Sequence, residues 1–314
     1  MKFPAEFIFG AASSAYQIEG AWNRDGKGES IWDRFAHTPG KIKNGDNGDI
    51  ACDFYHRFKD DVALMKMLGL HAYRFSVSWP RILPRGRGRV NEKGLDFYKR
   101  LVDELLAAGI KPWVNLYHWD LPQGLQDKGG WINRDCTGWF ADFSALVAGA
   151  LGCKVTDWMT LNEPMMAAAL GYAFGQHAPG LKRPLRFFKV IHHLLLGHGL
   201  AVKAVKAAAP AAKVGIALDL RPIFPLFPGE KNRKAVQNAD TLMRRAFLDP
   251  LFKGTYPRFF HKQPWPIRAR IKDGDMRIIA APLDYIGINT STVDRVSYPR
   301  GLINIGFSVP DPTP

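Results

Sequence analysis

The stretch Thr160-Leu161-Asn162-Glu163-Pro164 decides how this chain is read. It follows Lys154-Val155-Thr156-Asp157-Trp158-Met159, whose alternation of apolar and polar residues predicts a strand. Pro164 has no backbone N–H to give to a central ladder, so the strand is expected to stop before it. Asn162 and Glu163 then stand at the strand's C-terminal end. In barrels of parallel strands wrapped by helices, that end carries the chemistry. A carboxyl group beside a side-chain amide there is a candidate general acid/base.

Working outward, the same unit recurs. Tyr55, Phe58, Val62 and Met65 form an apolar stripe at helical spacing over roughly 51–68. Gly69 is the expected C-terminal cap, and His71–Trp79 alternates as a strand that contains Arg74. Leu95, Tyr98, Leu101, Val102 and Leu105 repeat the stripe, Gly109 repeats the cap, and Ile110–Trp119 is the next strand. Helices are expected at roughly 135–151, Lys189–Ala208 and 235–248. Further strands are expected at 154–162, Lys213–Leu220 and Asp284–Asn289. Phe7–Ala12 reads as a short buried strand, not as a secretory leader. Residues 23–50 read as a long loop anchored by Trp32, and 221–229 as a Pro-rich loop.

Six strands alternating with helices argue for a parallel sheet, either an open doubly wound sheet or a closed barrel. No glycine-rich phosphate loop follows any strand, which weakens the nucleotide-binding option. Polar residues recur at different strand ends: Gln17, His118, Asn162 with Glu163, and Asn289. That favours a (β/α)8 TIM barrel, here carrying about six of its eight βα units in one domain over residues 1–314.

Composition narrows the class. The chain has 314 residues, nine Trp, 20 Phe and a net charge of +14. Residues 1–170 carry 21 Lys and Arg against 20 Asp and Glu, whereas residues 171–314 carry 22 against nine. The basic residues of the second half are scattered without an arginine-rich arm, which suits a solvated face better than a nucleic-acid surface. An acidic partner segment lying outside this chain is a third account of the imbalance. Cys52, Cys136 and Cys153 have no metal-ligand spacing and an odd count, as in a reducing, cytoplasmic setting. No run approaches the roughly 20 apolar residues of a membrane span.

Four stretches, in order, carry a resemblance: Phe7–Ala21, Arg74-Phe75-Ser76-Val77-Ser78-Trp79, Leu116-Tyr117-His118-Trp119-Asp120-Leu121-Pro122, and Thr160–Pro164. Together they resemble the landmarks of the family 1 glycoside hydrolases, the β-glucosidase family. The resemblance implies a (β/α)8 barrel that hydrolyses terminal β-linked glycosides with retention, using two carboxyl groups and neither metal nor cofactor. It gives Glu163 the acid/base role and Arg74 the orienting of the nucleophile. It gives Gln17, His118, Trp119, Asn162 and Asn289 contacts to the sugar. The expected partner is a small-molecule β-glycoside or oligosaccharide, with no nucleic acid and no membrane.

Two departures stand out. The family's Asn-Tyr-Tyr after strand six reads Asn289-Thr290-Ser291, and its nucleophile motif Thr-Glu-Asn-Gly does not occur in this chain. The chain is therefore expected to match the N-terminal two-thirds of such an enzyme. A noncatalytic or partner-dependent barrel fragment and a phospho-β-glycosidase are the alternatives. A plant-type thioglucosidase is disfavoured, because that group replaces the acid/base Glu with Gln.

Overall fold

The computed structural model describes residues 3–265 and 267–298, and the backbone of 307–310. Six strands form one parallel sheet in chain order: β1 (Gly10–Ala12), β2 (Ala72–Ser76), β3 (Lys111–Tyr117), β4 (Asp157–Asn162), β5 (Lys213–Asp219) and, after the short β6 (Ile223–Pro225), β7 (Tyr285–Asn289). Sequential parallel neighbours need a crossover between each pair. The main covering helices are α1 (Phe54–Met67), α2 (Glu92–Ala107), α3 (Cys136–Leu151) and α4 (Phe187–Ala208). The sheet thus lays out six successive units of the expected barrel.

The helix ends follow from the sequence. At α1 the Leu70 N–H bonds to the Met65 carbonyl and the Gly69 N–H to that of Lys66. At α2 Ile110 bonds to Leu105 and Gly109 to Leu106 in the same pattern. Both linking glycines have left-handed φ, +71° and +77°, and nothing lies within 4 Å of where a Cβ would sit. Glycine is needed there for its backbone alone.

The core lies between sheet and helices. β2 and β4 are buried along almost their whole length instead of alternating, because a parallel sheet is covered on both faces. α4 is buried over most of its surface and packs most extensively on α3.

Four expectations need correction. Phe7–Ala12 is not a buried strand: only Gly10–Ala12 pairs, and it is exposed, since β1 has β2 as its one neighbour among the described residues. Phe3, Phe7 and Phe9 instead cluster on one another at the surface, with ring centroids 4.4–5.1 Å apart. The 23–50 loop contains a helix at Ile31–Ala36, fixed by a capping box in which Ser30 and Asp33 satisfy each other's N–H groups. Trp32 does anchor that segment, packing on Tyr16, Phe35 and His177. The 221–229 loop includes β6, which pairs with β8 (Asp294–Ser297), itself paired with β9 (Phe307–Pro310), in a small second sheet. The expected 235–248 helix runs instead from Glu230 to Lys253 through a π-helical segment at Thr241–Arg245.

Candidate active site

β4 ends at Asn162, as Pro164 requires. Its last ladder bond comes one residue later, where the Glu163 N–H donates to the Ala217 carbonyl at 2.8 Å. The register shifts between Met159 and Asn162, an irregularity that re-aims side chains just before the strand ends. Glu163 itself is held at φ +46°, ψ +63°, and Trp119 after β3 at φ +73°. Non-glycine residues rarely sit there, and such strain clusters at functional sites.

Asn162 is the hub. Its Oδ1 accepts from Arg74 Nη2 at 2.6 Å and from Asn289 Nδ2 at 3.0 Å. Both are donors, so the amide orientation is fixed and its Nδ2 must donate. It donates to His118 Nε2 at 3.1 Å, which makes Nε2 the acceptor and places the proton of the neutral ring on Nδ1. Burial, helped by the Arg74 charge, pushes His118 down to about 3, so the ring is neutral at physiological pH. His118 Nδ1 and Arg74 Nε are buried and have no hydrogen-bond partner among the described residues. Trp119 Nε1 donates to the Asn162 carbonyl at 2.7 Å.

Glu163 accepts a short hydrogen bond from Asn289 Nδ2, so one amide bridges Asn162 and Glu163. Burial raises the Glu163 carboxyl above its usual range. The Asn289 hydrogen bond opposes this, the Asp219 charge adds to it, and Arg74 and Arg221 pull the other way. A carboxyl raised by its surroundings can hold a proton to donate.

The structure brings Arg74, His118, Trp119, Asn162, Glu163 and Asn289 into one hydrogen-bonded cluster. It does not bring Gln17 into that cluster. Gln17 is exposed on the Ala15–Ile18 turn after β1, and its Oε1 accepts from Ser14 Oγ at 2.5 Å. Arg74 lies against no carboxylate in an ion pair among the described residues; its partner is an amide.

Asp219 was missed from sequence. It ends β5 in register with Asn289 and lines the same open cleft as Glu163, a space of about 900 Å³ rimmed also by Trp119, Arg221 and Ser291. Burial raises its carboxyl, opposed by Arg221, whose Nη2 lies 3.1 Å away. Arg221 Nη1 in turn reaches Asp294 at 3.0 Å, tying the second sheet to the rim. The rule that singled out Asn289, a polar residue at a strand's C-terminal end, applied equally to Asp219. Among the described residues no cluster of three or more His, Cys, Asp or Glu side chains is placed to hold a metal, and no helix is long and apolar enough to cross a membrane.

The model of glycosyl hydrolase family 1 matches residues 1–303. The chain belongs to that family. It is 48% identical over 302 residues to β-glucosidase A of Acetivibrio thermocellus, which covers 95% of this chain and 67% of the relative. It is 44% identical over 294 residues to an aryl-phospho-β-D-glucosidase of Bacillus subtilis, covering 92% of this chain and 61% of that one. The β-glucosidase of Thermotoga maritima solved in complex with deoxynojirimycin superposes with a TM-score of 0.95 at 42% identity, over all of this chain and 71% of that one. The chain thus spans about two-thirds of the length of these relatives, and the family 1 barrel is its fold.

Proposed function

We propose that this chain supplies the sugar site and the general acid/base of a retaining β-glycosidase of the β-glucosidase type, with Glu163 in the acid/base role. The observation that carries the reading is the Asn162–Asn289–Glu163 arrangement. A carboxyl raised by burial is aimed, through a single amide bridge, into a cleft large enough for a sugar and its leaving group. In the first step Glu163 gives its proton to the leaving oxygen. In the second it takes a proton from the attacking water, once a carboxylate nucleophile has been glycosylated and its charge removed. That nucleophile, carried in the family by Thr-Glu-Asn-Gly, is not in this sequence. We therefore propose that the residues form one barrel domain that lacks the family's C-terminal units.

Asn162 is the proposed partner of the sugar 2-hydroxyl, with His118, Trp119 and Asn289 lining the rest of the ring. Gln17 joins them only if the turn after β1 closes over bound sugar. Arg74 is the proposed orienting cation for the nucleophile, and its Nε has no hydrogen-bond partner among the described residues. The substrate is proposed to be a small β-glycoside or oligosaccharide, in carbohydrate metabolism, with no nucleic-acid or membrane partner. A reducing, cytoplasmic setting is proposed from Cys52, Cys136 and Cys153, none of which is in a disulfide.

The test is titration of the purified chain with deoxynojirimycin, beside assay of p-nitrophenyl β-D-glucoside. The reading expects saturable binding that Asn162→Ala and His118→Ala each weaken, with no turnover by the chain alone. Binding unaffected by both substitutions refutes the proposed sugar site. The absence of Thr-Glu-Asn-Gly favours a second reading, a binding-only fragment. That reading stands if turnover stays absent when the missing family segment is supplied.

A further inference from the structure

A second cavity, of about 410 Å³, lies outside the reaction cleft, between the loops that follow β1, β3 and β4. Its volume is in the range that holds small molecules. Its floor is apolar, made by Ile31, Phe35, Ile132 and Leu181. Gly180 packs directly on the Phe35 ring of that floor: a Cβ there would lie 2.7 Å from it, and φ is +78°. Its rim is cationic, and not all of the charge is committed. Arg34 is tied to Glu29 by two hydrogen bonds of 2.6 Å. The one acidic lining residue, Asp127, already accepts from Gln123 Nε2 at 2.7 Å.

Lys41 and Arg183 make no ion pair among the described residues. The Lys41 ammonium lies 5.7 Å from the Phe35 ring centroid, at the edge of the apolar floor. Gln126 spends its Oε1 on the Tyr172 hydroxyl at 2.7 Å, which leaves its NH₂ as a donor. An apolar floor, two uncommitted cations and an amide donor complement one kind of molecule.

We propose that this cavity is a binding site for a small amphipathic anion: an aromatic or alicyclic body bearing one carboxylate, sulfate or phosphate group. The body lies on Phe35, Ile132 and Leu181. The anionic group sits between Lys41 and Arg183, within reach of the Gln126 amide. The site is independent of the acid/base reading, since it uses none of the residues around Glu163. It shares no lining residue with the cleft, but a relay of ring contacts joins the two. Phe35 packs on Trp32 (5.7 Å between centroids), Trp32 on His177 (5.4 Å) and His177 on Trp119 (5.6 Å). Occupancy of one cavity can therefore be felt at Trp119 in the other.

The experiment is amide NMR of the whole chain titrated with naphthalene-2-sulfonate and, separately, with the neutral 2-naphthalenemethanol. Expected are saturable shifts centred on residues 31–41, 123–132 and 179–183, with smaller ones at His177 and Trp119, and the alcohol bound about tenfold more weakly, as two exposed cations can supply. Lys41→Ala with Arg183→Ala should lower the sulfonate to the affinity of the alcohol while the spectrum elsewhere superposes. Ile132→Trp, which fills the cavity without touching a charge, should abolish binding of both. Equal affinity for the two probes, shifts centred on the β1 or β7 sheet edges, or no saturable binding would each overturn the proposal.

Discussion

Replacing Glu19 by Ala should unfold this protein more readily than any substitution in the cluster around Glu163. Glu19 is buried beneath the turn that carries Gln17. Its Oε2 accepts from Arg81 Nε at 2.9 Å and its Oε1 from the Tyr98 hydroxyl at 2.6 Å. Side-chain exposure is 1% for Arg81 and 5% for Glu19, so neither charge has water to fall back on. Arg81 also donates to the Gly20 carbonyl at 3.1 Å and lies 4.3 Å from the Tyr55 ring centroid. Removing the carboxylate leaves a buried guanidinium uncompensated, which costs about 3–5 kcal/mol. Urea midpoints with an unchanged slope measure the loss, and a melt should fall by roughly 2–4 °C per kcal/mol. The pair Glu19→Met with Arg81→Leu removes both charges and should recover at least half of that loss, because an apolar replacement has no desolvation to repay. A Glu19→Ala loss below about 1 kcal/mol, or two single losses that simply add in the double variant, would refute the reasoning.

Other outcomes follow from single contacts. Asn162→Ala removes the acceptor of Arg74 Nη2 and should cost about 1–3 kcal/mol, read by urea unfolding, in addition to its effect on sugar binding. Gly109→Ala forces a side chain into left-handed backbone and should cost roughly 1–2 kcal/mol, although the site has room for it. Stability should rise with pH between about 3 and 6.5. His198 (about 3) and His193 (about 4) are held below their ordinary value by burial, so the unfolded chain binds more protons in that window. That stability is complete above 6.5 and is lost as pH falls toward 3. Asp120, raised by burial to about 7, works in the opposite sense between 3.8 and 7 and flattens the slope. His198→Gln should flatten it further, as measured by urea midpoints at pH 5 and pH 7.

The strand-end residues were legible because their constraint is local. Pro164 had to stop a ladder, and Gly69 and Gly109 had to end helices, so the barrel units and the position of Glu163 followed from spacing. Asn289 was legible for the same reason. The small sheet was not: β6 is three residues long, carries Pro225 and pairs with β8 some 70 residues away, so no local pattern marks it. The exposure of Phe7–Phe9 was hidden because an apolar run looks the same at a sheet edge as at its centre. The left-handed backbone of Trp119 and Glu163 could not be read from side-chain pattern at all, since tertiary packing imposes it. Asp219 was readable by a rule already in use, and its pairing with Arg221 two residues on is what set it apart from a solvated loop acid.

The most direct test of the central claim supplies what the sequence lacks. The chain is mixed or co-expressed with the C-terminal third of a family relative that carries Thr-Glu-Asn-Gly, and aryl β-glucosides are assayed with wild type and Glu163→Gln. The account predicts turnover by the wild-type pair. It predicts that Glu163→Gln is lost on substrates with poor leaving groups, and that azide restores turnover of activated ones to give β-glucosyl azide. Undiminished hydrolysis of poor leaving-group substrates by the Glu163→Gln pair would contradict it.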